Sequence, residues 1–365
     1  MSVKPNLNQR SKNILKATIE YYIATAEPVG SKAIAQKYDF NISSATIRNV
    51  MGGLEAAGLL YQPYTSAGRI PSDFGYRMYV DRLLVPDEAS GKKLEQFLLL
   101  QLSQKRASFE ALIQRVTKIL AALSGYIAII SFPQNSDTLR HLQLVPISIE
   151  EIMLIIVTNS YQTESIVIKS SLFFSEEAEN EATIAEELQI LSNFLNQKLK
   201  GRSLAEIATL NWEQIDREFA RYTDFLKALS KEFASYSQPS SDAPLMIHGI
   251  AEALRQPEFS QLQQVQTLLY LLEEEQEQLL PVIFTVADSE KNNKKINIKI
   301  GSENTLEPMQ TCTLISANYY AEETPLGSVG VIGPTRMLYD NTITLVETTA
   351  DYLSDVFQGG KKVEG

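Results

Sequence analysis

Cysteine and histidine are scarce in this chain of 365 residues, and their scarcity excludes two kinds of stabilising site. Cys312 is the only cysteine, so no disulfide can form within the chain, as expected in a reducing compartment. His141 and His248 lie far apart in sequence, and with a single cysteine they leave too few ligands for a structural zinc site. We therefore expect neither a metal nor a disulfide to hold the fold together.

Long apolar runs are also lacking. No apolar segment approaches the roughly 20 residues that a membrane-spanning helix requires. The first residues, MSVKPNLNQRSKNILK, are polar and basic and lack the apolar region of a signal peptide. A composition of 44% hydrophobic and 21% charged residues is typical of a soluble globular protein, and the length suffices for two or three domains. We expect a cytoplasmic protein with no membrane partner.

Positive charge is in deficit over the whole chain but not in its N-terminal part. The formal net charge is −11. Residues 1–85, called the head below, nevertheless contain ten Lys/Arg and six Asp/Glu, and the remaining residues have a balance of −15. Because a basic head concentrates attraction for phosphates, any nucleic-acid contact is predicted there.

The head has the pattern of three helices followed by a turn-rich segment. Apolar residues recur at helical spacing in 10–25, 32–38 and 44–57, with a break at Pro28 and Gly30. Ser31 is placed to cap the second helix, and Gly58 ends the third. The segment QPYTSAGRIP has too many turn residues for a helix, so we predict a loop or β-wing.

The third predicted helix has two unlike faces. Its inward face consists of Ile47, Val50, Met51 and Leu54. Its outward face consists of Ala45, Asn49, Gly52 and Ala56, with Thr46 and Arg48 beside them. Small side chains let a helix enter a major groove about 12 Å wide, where Asn and Arg make bidentate contacts with adenine and guanine. We predict that Thr46, Arg48 and Asn49 contact bases.

A second group of polar residues is predicted to hold the DNA backbone. It comprises Lys32, Ser43, Ser44, Thr65, Ser66 and Arg69. Gly68 is expected to permit a backbone turn within the wing. Two alternatives remain open: the head is a small helical bundle without a ligand, or Arg69 forms an ordinary surface ion pair.

Beyond residue 92 a helical pattern gives way to strands and then to a second helical block. Strands are predicted at 126–132, 141–147, 152–158, 165–170, 282–287, 295–301, 312–320 and 327–333. The helical block covers 175–235, and a last helix covers 341–357. A sheet interrupted by helices suggests an α+β domain that carries an insertion.

The insertion has two apolar stripes that suit either a core or a subunit interface, and we favour the interface. The first stripe is Ile184, Leu188, Leu191 and Leu195, and the second is Trp212, Ile215, Phe219, Tyr222 and Leu226.

Neither a cofactor site nor a catalytic group is apparent. No Gly-rich phosphate loop, carboxylate pair or nucleophile–base pair occurs at a suitable spacing, so we predict no cofactor and no enzymatic activity. Two polar segments, IGSEN at 300–304 and GPTRM at 333–337, suit either a structural role or a ligand site, and we favour the structural role. In that interpretation Arg336 pairs with Glu303, and Asn304 fastens a turn.

Several motifs resemble those of one known family, the heat-inducible transcription repressor HrcA. SSATIRN and TSAGRIPSDFGYRMYVD in the head carry the resemblance, and IGSEN and GSVGVIGPTRMLYD repeat it far downstream. Tyr64 departs from the family pattern, which usually has His before Thr-Ser-Ala-Gly-Arg. Tyr can still donate a hydrogen bond, but any pH-linked role of that position is lost.

The resemblance implies an α+β multidomain fold. It has a winged helix-turn-helix at 1–85, a GAF-like domain at 92–174 and 241–357, and an inserted helical dimerising domain at 175–240. It further implies repression of chaperone genes at an inverted-repeat operator, loss of activity on heat stress and a chaperonin partner. A twofold operator requires a twofold protein, so we expect a homodimer on double-stranded DNA. The alternative left open is a metabolite-responsive regulator that uses the GAF-like domain as its sensor.

Overall fold

Two compact units make up the chain in a computed structural model. The first comprises Met1–Arg106, Ile113–Ser131 and Leu245–Gly365, and the second comprises Ala107–Leu112 and Phe132–Pro244. The structure describes residues 7–84, 96, 109–131, 138–148, 150–158, 163–169, 181–203, 206–207, 210, 226–227, 245–284, 296–321 and 324–357. The predicted linker at 85–91 and most of the second apolar stripe, including Trp212, lie outside these residues.

The head consists of helices and one short hairpin. Its elements are α1 (Gln9–Thr25), α2 (Ser31–Lys37), α3 (Ser44–Ala56), β1 (Leu60–Tyr61), β2 (Ile70–Pro71) and α4 (Asp73–Arg82). Strands β1 and β2 pair antiparallel, with Leu60 opposite Pro71. Three helices followed by a two-stranded wing form a winged helix-turn-helix, as predicted.

Side-chain caps fix where α1, α3 and α4 begin, whereas the cap predicted for the second helix is wrong, because Ser31 is the first residue of α2 and Gly30 before it provides no side chain. The side chains of Asn8, Ser43 and Ser72 accept hydrogen bonds from backbone N–H groups in the first turns of α1, α3 and α4, at 2.8, 3.2 and 3.0 Å. Helix α3 ends before Gly58, whose φ of +72° favours glycine. The predicted ends of α3 are therefore confirmed.

The head has its own apolar core. Its innermost side chains are at most 1% exposed: Ile14, Leu15, Ile19, Ile34, Ile47, Met51 and Leu54. Burial of such side chains contributes roughly 1.5–3 kcal/mol each, so helix packing stabilises the head. Three of the four predicted inward residues of α3 belong to this core, and Val50 is half-buried.

The remaining described elements are runs of strands separated by single helices or by groups of helices. In chain order they are α5 (Phe109–Ser124), β3 (Ile127–Ser131), β4 (Leu139–Pro146), β5 (Glu151–Thr158), β6 (Thr163–Lys169), α6 (Glu181–Leu199), β7 (Leu245–His248), α7 (Ile250–Ala253), α8 (Leu262–Glu273), α9 (Gln276–Ile283), β8 (Ile296–Ile300), β9 (Cys312–Ala321), β10 (Thr324–Pro334) and α10 (Tyr339–Phe357). Short 3₁₀ turns lie at Pro257–Ser260, Gly301–Glu303 and Glu307–Met309.

A five-stranded antiparallel sheet forms the body of the first unit. Its strand order is β7-β3-β10-β9-β8. On one face, Leu314 and Ile332 pack in a buried cluster with residues of α8 and α9. The alternating residues of β9 face α10, where Thr313 contacts Tyr339 and Tyr319 stacks on Phe357. The sheet is thus covered by helices on both faces.

The second unit has a three-stranded antiparallel sheet in the order β4-β5-β6. Side chains of helix α6 form hydrogen bonds with the backbone of β4. Ser192 Oγ accepts a hydrogen bond from Leu144 N at 2.9 Å, and Asn196 exchanges two hydrogen bonds with the backbone of Leu142. The apolar stripe that runs from Ile184 to Leu195 is buried against this sheet. The preferred assignment of that stripe to a subunit interface is therefore wrong, because it forms the core of its own unit.

Two further predictions about the body require correction. Residues 282–287 were expected to form a strand, but Val282 and Ile283 end helix α9, and the rest of the run from 285 lies outside the described residues. Short apolar runs have no period that separates helix from strand. The strands at 126–170 were expected to share one sheet. Instead β3 belongs to the first unit, and β4–β6 belong to the second with α6.

Candidate nucleic-acid interface

Helix α3 exposes a face of small and polar side chains. Ala45, Arg48, Asn49 and Ala56 are exposed, Thr46 and Gly52 are half-buried, and the apolar face packs inward. A helix without bulky side chains on its outer face can approach base edges closely. The structure therefore places the three predicted base-contacting residues, Thr46, Arg48 and Asn49, on or beside one accessible surface.

The start of α3 is organised by its cap. Ser43 Oγ lies 3.2 Å from Thr46 N and 3.0 Å from Thr46 Oγ1, so both side chains contribute to the cap. Ser44 is the first helical residue and is half-buried, while Lys32 is exposed on α2. Backbone N–H groups at a helix start, with the positive end of the helix dipole, form a surface suited to a phosphate.

A glutamine that sequence analysis did not single out shapes the wing. Gln62 Nε2 donates hydrogen bonds to the carbonyl oxygens of Thr65 and Ala67, at 2.9 and 2.8 Å. Ala67 N donates to Tyr64 O at 2.9 Å and tightens the same turn. Thr65 and Ser66 are exposed, and the Tyr64 side chain is 62% exposed. The only sequence signal for Gln62 is its place next to Pro63 at the start of a turn.

Arg69 is engaged within the head. Its guanidinium donates to Glu55 Oε2 of α3, with Nε and Nη2 each 2.9 Å from that oxygen, and the arginine side chain is only 18% exposed. Its backbone pairs with that of Val29. The structure thus favours the open alternative of an ion pair, in which Arg69 joins the base of the wing to α3.

Gly68 is needed for close approach and not for an unusual turn. Its φ is not among the positive values found at other glycines. A Cβ added there would lie 2.5 Å from the backbone carbon of Val29 and 2.6 Å from that of Pro28. Any side chain would push the wing away from the segment between α1 and α2, so the expected conformational role is corrected to a steric one.

The polar segments of the body have partners that differ in part from those predicted. Asn304 Nδ2 donates to Gly301 O, Met309 O and Cys312 O at 3.1, 3.0 and 2.9 Å, so it fastens a turn as predicted. The predicted Arg336–Glu303 pair is wrong. Arg336 Nε donates to Glu258 Oε1 at 2.6 Å, whereas Glu303 pairs with Arg77 of the head. These partners are distant in sequence, so spacing gives no signal for them.

Neither a membrane span nor a metal cluster is found in the part of the chain that the structure describes. No helix there is long and apolar enough to cross a membrane. No three His, Cys, Asp or Glu side chains there are grouped so that they could hold a metal ion.

Comparisons with known proteins match both the head and the body to models of one family. The family model "Winged helix-turn-helix transcription repressor, HrcA DNA-binding" matches residues 6–78, and "HrcA protein C terminal domain" matches residues 110–343. The heat-inducible transcription repressor HrcA of Cyanothece sp. is 51% identical over 96% of this chain and 97% of its own length. That of Trichormus variabilis is 52% identical over 96% of this chain and 99% of its own length.

A solved structure shares the overall fold. The crystal structure of a hypothetical protein superposes with a TM-score of 0.62 at 23% identity, covering 98% of this chain and all of the other. This likeness concerns the fold alone. The extent and identity of the sequence matches establish the family: the chain belongs to the HrcA transcription repressors, which are DNA-binding regulators and not enzymes.

Proposed function

We propose that a dimer of this chain binds an inverted-repeat operator next to chaperone genes, represses them, and loses this activity on heat stress. The observation that carries the proposal is the outer face of α3, where Arg48 and Asn49 stand exposed among small residues. The relatives' name, heat-inducible transcription repressor, supplies the regulatory context. Two heads related by a twofold axis would place two copies of α3 in successive major grooves.

The proposal gives each polar residue of the head a role. Thr46, Arg48 and Asn49 contact base edges. Lys32, Ser43, Ser44, Thr65 and Ser66 contact the phosphate backbone. Arg69, which Glu55 already engages, holds the wing against α3 so that Thr65 and Ser66 reach the adjoining backbone.

Footprinting tests this function directly. The purified chain is titrated onto DNA upstream of its organism's own chaperone genes, and a protected inverted repeat is expected. Asn49→Ala should then lose affinity for the matched operator but not for an operator mismatched at the contacted base, because a bidentate contact to one base discriminates by about 1–3 kcal/mol. Asn193→Ala, the same change on the exposed face of α6, is the control. Uniform weakening by Asn49→Ala across matched and mismatched operators would remove Asn49 from base recognition.

We further propose a cytoplasmic chaperonin as a folding partner that links repression to heat. If heat-denatured proteins occupy the chaperonin, less of the repressor reaches its active form. Purified chain treated with chaperonin and ATP should therefore show a larger DNA-competent fraction than untreated chain. Equal operator binding before and after treatment would contradict this link without affecting the proposal for α3.

A further inference from the structure

Polar contacts join the head to the body within the first unit, beginning at the start of α4. Asp73 Oδ2 accepts hydrogen bonds from Ser302 N and Ser302 Oγ, at 2.9 and 2.8 Å. Gly301 precedes this serine with a φ of +53°, and a Cβ added to it would collide with the Asp73 carboxylate. The turn at Gly301–Glu303 is therefore shaped to receive one particular side chain of the head.

One helical turn further along α4, Arg77 makes a bidentate ion pair with the same turn. Its Nε donates to Glu303 Oε1 at 2.9 Å, and its Nη2 donates to Glu303 Oε2 and, at 2.5 Å, to Ile298 O. Glu303 Oε2 also accepts from Ile300 N at 2.9 Å, which fixes the carboxylate independently of the head. A planar guanidinium on a fixed carboxylate has a defined orientation as well as a defined distance.

Arg336 makes a separate connection between body and head. It pairs with Glu258 and donates through Nη1 to Ile23 O at 2.7 Å, with its side chain 12% exposed. Ile23 lies in the last turn of α1, where carbonyl oxygens lack helical partners and the helix dipole favours a cation. The body thus supplies a C-terminal cap to a helix of the head.

Buried tyrosines accompany these polar contacts. Tyr76 and Tyr79 of α4 pack against Tyr339 at the start of α10, with ring centroids 5.8 and 6.4 Å apart. Tyr76 and Tyr339 are 2% and 1% exposed. The head is consequently docked through apolar area together with directional hydrogen bonds, and not through chain connectivity alone.

We propose that the docking contacts, namely Asp73–Ser302, Arg77–Glu303 and Arg336 with Glu258 and Ile23, fix the direction in which each head presents α3. Asp73, Arg77 and Arg336 are then positioning residues, and the contacts set which spacings of two half-sites the dimer accepts. This inference rests on the proposed function, because spacing matters only when two heads bind one operator. The segments IGSEN and GPTRM would then influence which operators are bound, although neither segment contacts DNA.

Operator geometry makes this role measurable. The duplex completes a turn in about 10–10.5 base pairs, so each added base pair moves a half-site by about 3.4 Å and rotates it by roughly 34°. A docked head cannot follow such a displacement. A head whose ion pair with the body is broken can follow it more easily, because fewer directional contacts fix its orientation.

The experiment measures binding of the full chain to operators with altered spacing. The footprinted inverted repeat is made with its own spacing and with one or two base pairs added or removed, alongside a fragment with a single half-site. Glu303→Gln and Arg77→Gln break the ion pair. Glu20→Gln and Lys16→Gln are matched controls, since they remove one charge of the same sign from a half-exposed pair 3.7 Å apart on α1.

The unmodified chain and both controls should lose at least about tenfold in affinity when the spacing changes by one base pair. Glu303→Gln and Arg77→Gln should lose less than about threefold, while each binds the single half-site within about twofold of its matched control. An unchanged spacing penalty in both variants would overturn the inference. So would loss of the folded circular dichroism spectrum in both, because the contacts would then hold the fold itself. A chain that protects no repeat at all would overturn the proposed function, and this inference with it.

Discussion

Asn304→Asp exchanges one NH₂ group for an oxygen, and we expect it to destabilise the first unit in a strongly pH-dependent way. Asn304 is 1% exposed, and its Nδ2 serves three carbonyl oxygens of the turn that carries Ser302 and Glu303. An aspartate carboxylate in this position would face those oxygens with no hydrogen to donate. The chain can avoid that repulsion by folding with the carboxyl group protonated.

The free energy needed to keep the carboxyl group protonated accounts for most of the expected destabilisation. The carboxyl pKa of an unfolded Asp is about 3.9, so holding the proton at pH 7 costs about 4 kcal/mol at about 1.4 kcal/mol per pH unit. The folded-state pKa is raised above the unfolded one, so the penalty is absent below about pH 4 and grows as the pH rises. A carboxylic acid also donates one hydrogen where the amide donates two, which adds about 1 kcal/mol at every pH.

Urea unfolding followed by circular dichroism at pH 5 and pH 7 tests this reasoning. The difference in unfolding free energy between Asn304→Asp and the unmodified chain should shrink by about 2.7 kcal/mol from pH 7 to pH 5. Asn193→Asp on the exposed face of α6 makes the same chemical change and should show no such trend. Equal destabilisation at the two pH values would refute the three hydrogen bonds assigned to the amide group.

Three further substitutions follow from contacts of the first unit. Tyr76→Phe removes a buried hydroxyl that has no hydrogen-bond partner among the described residues, so urea unfolding should show unchanged stability or a gain of about 1 kcal/mol. Gly301→Ala puts a methyl group against Asp73 at positive φ, and calorimetry should show a loss of at least about 1 kcal/mol. Glu55→Gln removes the ion pair by which Arg69 holds the wing against α3, so DNA affinity should fall by a similar factor for all sequences in salt-dependent binding titrations. Unchanged affinity would mean that this pair does not position the wing.

The head could be predicted from sequence because its signals are local. Ser43 lies directly before an apolar repeat, and Gly58 lies directly after it, so the bounds of α3 follow from capping chemistry within one segment. The inward positions Ile47, Met51 and Leu54 follow from the helical period in the same segment. Neither inference requires any knowledge of what α3 packs against.

The partners of the charged residues could not be predicted, because they depend on tertiary structure. Arg336 and Glu303 both lie in motif segments of the body, which suggested that they pair with each other. In the structure each instead takes a partner from a distant segment, Glu258 and Arg77 respectively. The end of helix α9 was mistaken for the start of a strand for a related reason, since a short apolar run such as Val282-Ile283 occurs in both helices and strands and only packing decides between them.

The charge of the head has a different meaning once its ion pairs are known. Counted from sequence, all ten Lys and Arg residues of the head contribute equally to its attraction for DNA. In the structure, Arg69 is paired with Glu55, and Arg77 is paired with Glu303 of the body. Lys32 and Lys37 on α2 and Arg48 on α3 are exposed. Arg10 and Arg82 are exposed elsewhere in the head, so only part of its exposed positive charge adjoins the residues proposed to contact bases, and in this proposal the paired arginines orient that surface.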